Sequence, residues 1–381
     1  MVTRKKIQEL CSTIVSGGTP STQHKEWYDG DIPWLNTKEV KFNKIESTER
    51  SITSEGLANC SAKWVPANTV VVAMYGATAG NVAITGIPLT TNQACCNLII
   101  NPDVADYRYV YYALMKANKQ LKSLANGGAQ QNLSFKQIKD FAIPVPCIDE
   151  QREIAEILYK LDEKINLNSK INDNLEQQIL SLYEHLFVTQ KESDWKEGTL
   201  SDIGTIVGGG TPSKSRTEYY AENGIAWITP KDLSINKSKY IYHGEVDISD
   251  LGFKKSSASF VPAGTVLFSS RAPIGYIAIA GQELTTNQGF KSVIPSKAIW
   301  TSFIYCFLKK NLPLIESMSS GSTFKEISGS SMKQVPVTIP DNKSLDLFNQ
   351  YVNPFFDKQK MLEKENRTLV EIRDTLLLKL L

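Results

Sequence analysis

One segment of this 381-residue chain has the residue types of a phosphate-binding loop. Residues 208–215 read GGGTPSKS, and a glycine-rich loop that ends in Gly-Lys-Ser/Thr holds phosphates with its backbone N–H groups and its lysine. Here Ser213 stands where the second glycine of that motif is required, and the lysine is not repeated in a matching segment near the amino terminus. The segment therefore predicts a proline-rigidified turn and not a nucleotide site.

A second segment, Asn353-Pro-Phe-Phe356, has part of the Asn/Asp-Pro-Pro-aromatic pattern of amino-methyltransferases. The second proline is missing and no glycine-rich cofactor loop precedes the segment, so we interpret it as helix core in which proline opens or kinks the helix. The chain contains neither HExxH nor GxSxG, its six cysteines form no CxxC pair, and its three histidines lie far from them in sequence. The sequence predicts no catalytic residue and no metal site.

The composition is that of a globular protein, with 41% hydrophobic and 22% charged residues. The length exceeds what one hydrophobic core usually serves, which favours two or more domains. No fully apolar stretch approaches the length of a membrane span, and no apolar run follows the basic amino terminus. We therefore expect no membrane span, no secretory signal and a cytoplasmic location.

The chain is an internal repeat at an offset of about 194 residues, which drifts only between 192 and 196. A period this long exceeds that of solenoid repeats, so each copy must be a domain with an appendage. The matching motifs are VSGGTPS at 15–21 and VGGGTPS at 207–213, WLNTK at 34–38 and WITPK at 227–231, VPANTV at 65–70 and VPAGTV at 261–266, and LTTNQ at 89–93 and 284–288.

Each copy predicts a mixed α+β domain followed by a long helix. Short β-branched segments bounded by turn residues predict strands, and apolar periodicity predicts a helix over residues 106–124 and over residues 300–318. The predicted domains and spacers are a first domain at 1–148, a central helical spacer at 149–190, a second domain at 191–342 and a carboxyl-terminal helical spacer at 343–381.

Both spacers carry a heptad seam with alternating spacings of four and three, which is typical of a coiled coil and less so of a helix that packs only on its own domain. Polar residues near the centre of both seams would fix how the helices align, so we expect antiparallel pairing over ~48 Å and a pseudo-twofold arrangement. The expected contact residues are Ile154, Leu158, Leu161, Ile165, Asn168, Asn172, Leu175, Phe355, Gln359, Leu362, Asn366 and Leu369.

The two predicted domains carry net charges of +4 and +2, whereas the central spacer carries −5. This distribution permits a nucleic-acid partner without demanding one, because a domain that binds DNA alone is usually more basic. We expect any duplex binding to depend on a second, more basic subunit.

In its motifs, their order, the repeat and the helical spacers, the whole chain resembles the specificity subunit of Type I restriction-modification systems. The resemblance implies two target recognition domains that each read one half of a split double-stranded DNA sequence, with the helices setting the gap. It also implies a non-catalytic chain that docks two methylation subunits, with restriction and translocation subunits as optional further partners. S-adenosylmethionine is expected in the methylation subunits and no cofactor in this chain.

Under this resemblance, residues common to both copies serve the fold or a shared partner, and residues that differ read different half-sites. Lys38 and Lys231 recur at one position and are candidates for phosphate contacts, although a solvated lysine is an equal alternative. The two Thr-Thr-Asn-Gln segments are interpreted mainly as structural.

Candidates for reading bases lie in loops that differ between the copies. Tyr75 and Arg271 follow the strongest strand of each copy, and arginine is the usual reader of guanine, although a structural role is an equal alternative for both. In a second pair of loops, amide side chains suit adenine and a lysine suits guanine or phosphate. These are Gln130, Gln131 and Asn132 in the first copy and Lys325 in the second.

A function of a different class stays open, namely a cytoplasmic scaffold whose coiled coil recruits proteins without binding DNA. Lack of salt-dependent duplex affinity in the presence of the methylation partner would favour it. A methyltransferase or nuclease acting alone is disfavoured by the failed motifs.

Overall fold

The computed structural model describes residues 2–125, 132–271, 273–321 and 325–381. The chain divides into two compact units, unit 1 with Met1–Ile165 and Thr368–Leu381, and unit 2 with Asn166–Arg367. Each unit thus combines one globular domain with part of each long helix.

Unit 1 contains the first ten strands and the helices between them. Its strands are β1 (Thr3–Lys6), β2 (Cys11–Ser16), β3 (Tyr28–Leu35), β4 (Lys44–Ile45), β5 (Ser51–Ile52), β6 (Val70–Ala73), β7 (Val82–Thr85), β8 (Thr90–Thr91), β9 (Cys95–Ile100) and β10 (Ala142–Val145). Its helices are α1 (Ile7–Leu10), α2 (Ser54–Ala58), α3 (Tyr107–Lys116), α4 (Asn118–Leu124), α5 (Phe135–Asp140), the first part of α6 (Ile148–Glu184) and the end of α13 (Asn342–Leu380).

Unit 2 begins within α6, which continues as a π-helical turn at His185–Thr189. Its strands are β11 (Lys196–Thr199), β12 (Gly204–Gly208), β13 (Tyr220–Ala221), β14 (Trp227–Ile228), β15 (Tyr240–Ile241), β16 (Asp247–Ile248), β17 (Phe260–Val261), β18 (Val266–Ser270), β19 (Ile274–Ala280), β20 (Leu284–Thr286), β21 (Lys291–Pro295) and β22 (Pro336–Ile339). Its helices are α7 (Leu200–Ile203), α8 (Pro230–Ile235), α9 (Asp250–Lys254), α10 (Thr301–Lys310), α11 (Leu312–Ser317), α12 (Gly329–Lys333) and most of α13 (Asn342–Leu380).

Both units contain a five-stranded sheet of one topology, in the order β2-β9-β6-β7-β4 in unit 1 and β12-β21-β18-β19-β15 in unit 2. In each sheet the last strand pairs in parallel and the other pairs are antiparallel. Beside it, the strand that carries the repeated tryptophan pairs in parallel with the Thr-Thr strand. The prediction of two similar α+β domains is confirmed.

The repeated motifs contact one another in each unit, which explains why both copies contain the same residues. A Cβ on Gly17 would lie 2.0 Å from the carbonyl oxygen of Thr91, and one on Gly209 would lie 2.1 Å from that of Asn287, both in Thr-Thr-Asn-Gln segments. No side chain fits at this close approach. The indole N–H of Trp34 donates to the carbonyl of the following glycine at 2.9 Å, and that of Trp227 does the same at 3.0 Å. The motifs therefore build one scaffold in both units.

The helix predicted over residues 106–124 is two helices, α3 and α4, and that over 300–318 is α10 and α11. In unit 2 the break precedes Pro313, which has no N–H to continue the helix. In unit 1 the side chain of Asn118 donates to the carbonyl of Gly80 at 2.6 Å where the second helix begins. One continuous helix was therefore the wrong prediction in both copies.

Helices α6 and α13 pair in antiparallel orientation, as predicted. In unit 2, Asn168 Nδ2 donates to Asn366 Oδ1 at 2.8 Å, and Gln359 Nε2 donates to the carbonyl of Asn172 at 3.0 Å. Later residues of α6 thus meet earlier residues of α13. Of the expected contact residues, Ile154, Leu158, Asn168, Gln359 and Leu362 are buried, and Leu161, Ile165, Asn172, Leu175, Phe355, Asn366 and Leu369 are half-buried.

The long helices belong to the hydrophobic cores of the units. The core of unit 1 includes Leu158 of α6 and Leu377 of α13. The core of unit 2 includes Tyr183 of α6 and Phe348 of α13, whose ring centroids lie 6.0 Å apart. The helices are therefore structural parts of both units. Among the helices of the described residues, none has both the length and the apolar character to cross a membrane.

Replacing the Asn168–Asn366 pair is expected to change the stability of the protein measurably. We expect the double substitution Asn168→Leu with Asn366→Leu to raise the free energy of unfolding by about 1–2 kcal/mol, because buried polar seam residues cost stability while they fix alignment. Asn168→Leu alone should lower it, because Asn366 Oδ1 then loses this donor. Urea unfolding of the three proteins tests this, and a destabilised double variant would contradict it.

Candidate nucleic-acid interface

In each unit, the described residues of the two loops predicted to read bases lie side by side. In unit 1, Tyr75 forms an isolated antiparallel bridge with Asn132, and in unit 2, Arg271 forms the equivalent bridge with Glu326. Backbone hydrogen bonds of 2.8 Å in unit 1 and 3.1 Å in unit 2 join the neighbouring residues. Loops that are far apart in sequence thus form one surface in each unit, which we call the reader surface.

Among the described residues, the reader surface of unit 2 carries charged side chains and that of unit 1 does not. Arg271 Nη1 lies 3.4 Å from Glu326 Oε2, and both side chains are 39% exposed. Tyr75 is 43% exposed and faces a neutral asparagine across its bridge. A half-exposed ion pair contributes little stability, so Arg271 can exchange Glu326 for another acceptor at low cost. Glu326 was not among the residues predicted to read bases, although it occupies the position of Asn132 in the repeat.

Lys38 and Lys231 occupy equivalent exposed places. Lys38 lies in a short 3-10 helix, Thr37–Glu39, and is paired with Glu49. Lys231 lies in α8 and is paired with Glu245. The hydrogen bond to the carboxylate raises the pKa of each lysine, so both are charged at neutral pH. Because exposed ion pairs are weak, both ammonium groups can bind a phosphate.

A cleft of about 660 Å³ in unit 2 brings Lys231 and Arg271 together. Lys214, Asn287 and Gln288 line the same cleft. In unit 1, Thr78 Oγ1 donates to the carbonyl of Thr37 at 2.9 Å, which holds the loop after Tyr75 against the segment that carries Lys38. In both units, the lysine that is predicted to contact phosphate therefore lies on a segment next to the loop that carries Tyr75 or Arg271.

The threonines of the Thr-Thr-Asn-Gln segments are scaffold. Thr90 and Thr285 are buried, and each hydroxyl donates to a backbone carbonyl at 2.9 Å. The following glutamines accept hydrogen bonds from the threonines of the Gly-Thr-Pro turns, Thr19 and Thr211. This segment therefore joins the turn to the sheet, and in unit 2 its Asn-Gln end lines the cleft.

The structure describes some of the remaining predicted site residues and not others. Asn132 and Lys325 are exposed, at the bridge of unit 1 and next to that of unit 2. Gln130 and Gln131 lie outside the described residues. Within the described ranges, no group of three or more His, Cys, Asp or Glu side chains could hold a metal ion. Burial raises the pKa of the Cys95 and Cys96 thiols, which makes them poor nucleophiles.

Apart from the carboxylates of Glu49, Glu245 and Glu326, which pair with the cations, the exposed polar groups named above are amides, a phenol, a guanidinium and ammonium groups. They can donate hydrogen bonds to base edges and bind phosphate oxygens, which is the chemistry of double-helix recognition. The common scaffold with different reader surfaces agrees with two related domains that meet different ligand sequences.

The chain is similar to known proteins of one family. The family model described as Type I restriction modification DNA specificity domain matches residues 2–177 and again residues 192–365. The chain is 38% identical to the Type I restriction enzyme MjaIX specificity subunit of Methanocaldococcus jannaschii over 181 residues, 47% of this chain and 42% of that relative. It is 23% identical to the HindI specificity subunit of Haemophilus influenzae over 332 residues, 68% of this chain and 72% of the relative. The match thus spans less than half the length of the first relative.

Among solved structures, the fold is similar to that of a Type-I restriction-modification system S subunit from M. genitalium, with a TM-score of 0.59 and 22% sequence identity. The match covers 100% of this chain and 96% of that structure. The two family matches cover most of the chain, one on each copy of the repeat. The resemblance predicted from the motifs is confirmed, and the chain belongs to the family of Type I restriction-modification DNA specificity domains.

Proposed function

We propose that this chain is the non-catalytic DNA-recognition subunit of a Type I restriction-modification complex. Each unit reads one half of a bipartite target, and α6 and α13 set the gap and dock two methylation subunits. One observation carries the proposal: the scaffold of repeated motifs is the same in both units, whereas the reader surface beside it pairs Tyr75 with Asn132 in one and Arg271 with Glu326 in the other.

The residues have separate roles in this proposal. Lys38 and Lys231 bind phosphates and hold the domains on the duplex, because phosphate contacts carry no sequence information. Tyr75 and Arg271 contact base edges, each in its own half-site. In the second loops, Asn132 with Gln130 and Gln131 serves the first half-site and Lys325 serves the second.

In this proposal the partner subunits supply the cofactor and the catalytic activities. The methylation subunits bring S-adenosylmethionine and no cofactor binds this chain, while restriction and translocation subunits join for cleavage. The whole chain has a formal net charge of only +2, so a more basic partner is needed to enclose the duplex. We place the complex in the cytoplasm, where it meets DNA.

Sequencing that detects methylated bases, with and without this gene in its source cell, tests the function. We expect a gapped two-part motif with methyladenine on opposite strands to disappear when the gene is deleted. If the methylome does not change, the chain is reconstituted with its methylation subunits and titrated with duplex DNA. A reconstituted complex without salt-dependent affinity would overturn the proposal and support a scaffold that does not bind DNA.

Substituting either of the two shared lysines is expected to lower the affinity for DNA without changing the sequence specificity. Lys38→Ala and Lys231→Ala should each weaken binding of all duplexes alike and reduce the slope of log affinity against log salt by about 1, because each removes one phosphate contact. Fluorescence anisotropy at several salt concentrations measures this. The control is Lys191→Ala, which removes a lysine from an exposed ion pair with Glu197 that is not part of the cleft. An altered base preference in either variant would contradict the phosphate role.

A further inference from the structure

The edge of the five-stranded sheet in unit 2 is fastened to α13 by one carboxylate. The backbone N–H of Lys239, which precedes edge strand β15, donates to Glu363 Oε1 at 2.5 Å. The N–H of Tyr240 donates to the other oxygen of the same carboxylate at 3.2 Å. Edge strands present unpaired N–H groups, and here a helix side chain satisfies two of them. The sheet that leads to the reader surface is thus tied to the helix pair.

The side chain of Lys239 makes a second and deeper connection. It is only 5% exposed, and its Nζ lies 2.6 Å from Glu176 Oε2 on α6 and 2.5 Å from Gln359 Oε1 on α13. Its ammonium group also lies 4.0 Å from the ring centroid of Phe356. One residue of the domain therefore contacts both long helices at the same point.

The surrounding groups complete this polar cluster. Tyr305 of α10 donates its hydroxyl to Glu176 Oε1 at 2.8 Å, and Lys309 Nζ lies 3.7 Å from the same oxygen. Burial opposes ionisation of Glu176, but the charge and hydrogen bond of Lys239, together with the Tyr305 hydroxyl and the charge of Lys309, outweigh it and lower the pKa of this carboxyl. Lys239 and Glu176 thus form a buried ion pair with further hydrogen bonds, an arrangement that requires good geometry to offset its desolvation.

Unit 1 has a different residue at the equivalent position. The N–H of Ile84 donates to the carbonyl of Asn43 at 3.0 Å, just as the N–H of Ile279 donates to the carbonyl of Lys239 at 2.7 Å, so Asn43 is the counterpart of Lys239. Asn43 is exposed and its side chain accepts a hydrogen bond from the neighbouring N–H of Lys41. The buried lysine is therefore a feature of the second copy, and the fold as such does not require it.

We propose that Lys239 is a positioning residue that fixes how the second recognition domain is held on the helix pair, and thereby how strictly the gap to the second half-site is read. This inference rests on the proposed function. Apolar contacts tolerate small shifts, whereas a shift of one helical turn, about 5.4 Å, would leave a buried charge without its partner. The polar cluster therefore selects one position of the domain along the helices.

The test uses the complex of the full chain with its methylation subunits and S-adenosylmethionine. Duplexes carry both half-sites with the native gap or with one base pair more or fewer, and initial methylation rates are compared. The variant is Lys239→Met combined with Glu176→Leu, because replacing both members of a buried ion pair by apolar residues usually preserves folding, whereas removing one does not. We expect the preference for the native gap to fall about fivefold, equivalent to about 1 kcal/mol, with base preference in the first half-site unchanged.

Two further variants make the result decisive. Tyr305→Phe removes one hydrogen bond to Glu176 without loss of ring packing and should weaken the gap preference in the same direction by about twofold. Lys360→Met is the control, because it removes an exposed lysine whose Nζ lies 5.4 Å from the ring of Tyr240, in the same contact but outside the cluster. Its gap preference should equal that of the wild type.

The possible failures are distinguishable. An unchanged gap preference in the double variant and in Tyr305→Phe would overturn the positioning role while leaving the proposed function intact. If the double variant does not fold, Tyr305→Phe alone decides. A wild-type complex that methylates no gapped duplex would overturn the proposed function itself.

Discussion

Replacing Arg271 with alanine is expected to relax recognition of the second half-site and leave the first unchanged. Arg271 is the only arginine at a reader surface in the described part of the chain, and Glu326 holds its guanidinium at 3.4 Å. A guanidinium bound to O6 and N7 of guanine is worth about 1–3 kcal/mol of discrimination against other bases. The variant should therefore lose about 5–150-fold of its preference at one base pair.

The measurement is methylation of a panel of duplexes in which each base pair of both half-sites is substituted in turn. Tyr75→Ala should produce the reciprocal result, with relaxed recognition in the first half-site alone. Arg216→Ala is the matched control, because Arg216 is an exposed arginine 3.5 Å from Glu218 that belongs to neither reader loop. Equal relaxation of both half-sites by Arg271→Ala, or an unchanged preference, would contradict its role as a base reader.

Deleting one heptad from each long helix is expected to abolish methylation of the native target and to create activity on a target with a shorter gap. Residues 163–169 of α6 and 365–371 of α13 contain the facing pair Asn168 and Asn366, and their joint removal keeps the seam in phase. Seven helical residues correspond to about 10 Å, or about three base pairs of duplex. The same half-sites should then be methylated with a gap about three base pairs shorter.

Two comparisons isolate the effect of helix length. Deleting residues 163–169 alone leaves the two helices one heptad out of register, so the contacts Asp162–Arg373 and Asn172–Gln359 cannot both form. This variant should therefore lose stability in thermal unfolding and activity on every gap. The paired deletion leaves the Asp162–Arg373 contact of unit 1 and the Glu176–Lys239 contact of unit 2 intact, so it should unfold close to the wild type. Retention of the native gap by the paired variant would show that the helices do not measure it.

The heptad seam could be predicted residue by residue because its cause is geometric. A spacing of 3.5 residues keeps one face toward a partner whatever the surrounding fold, and all twelve expected contact residues are buried or half-buried. The break between α3 and α4 has a different origin, since it coincides with a tertiary hydrogen bond from Asn118 to Gly80. Local periodicity contains no signal for such a contact.

The sequence predicted where the candidate site lies, but it did not predict which residues its side chains contact. Comparing the two copies placed Tyr75 and Arg271 in corresponding loops, and the structure brings each to an equivalent bridge. Glu326 and Lys239 were missed for different reasons. The carboxylate that Arg271 contacts is 55 residues away, and Lys239 resembles a surface lysine in sequence because lysines are seldom buried. The roles of Gln130 and Gln131 stay predictions.

The division of the chain has a consequence for biosynthesis. The first 165 residues leave the ribosome first, yet unit 1 also requires Thr368–Leu381, with Leu377 in its core. Domains generally fold as they emerge, and incomplete ones expose apolar surface. Unit 2 is continuous in sequence and can close while unit 1 still lacks this helical segment. Most of unit 1 is thus synthesised before unit 2 and completed after it, and we expect it to need chaperone protection while unit 2 is translated.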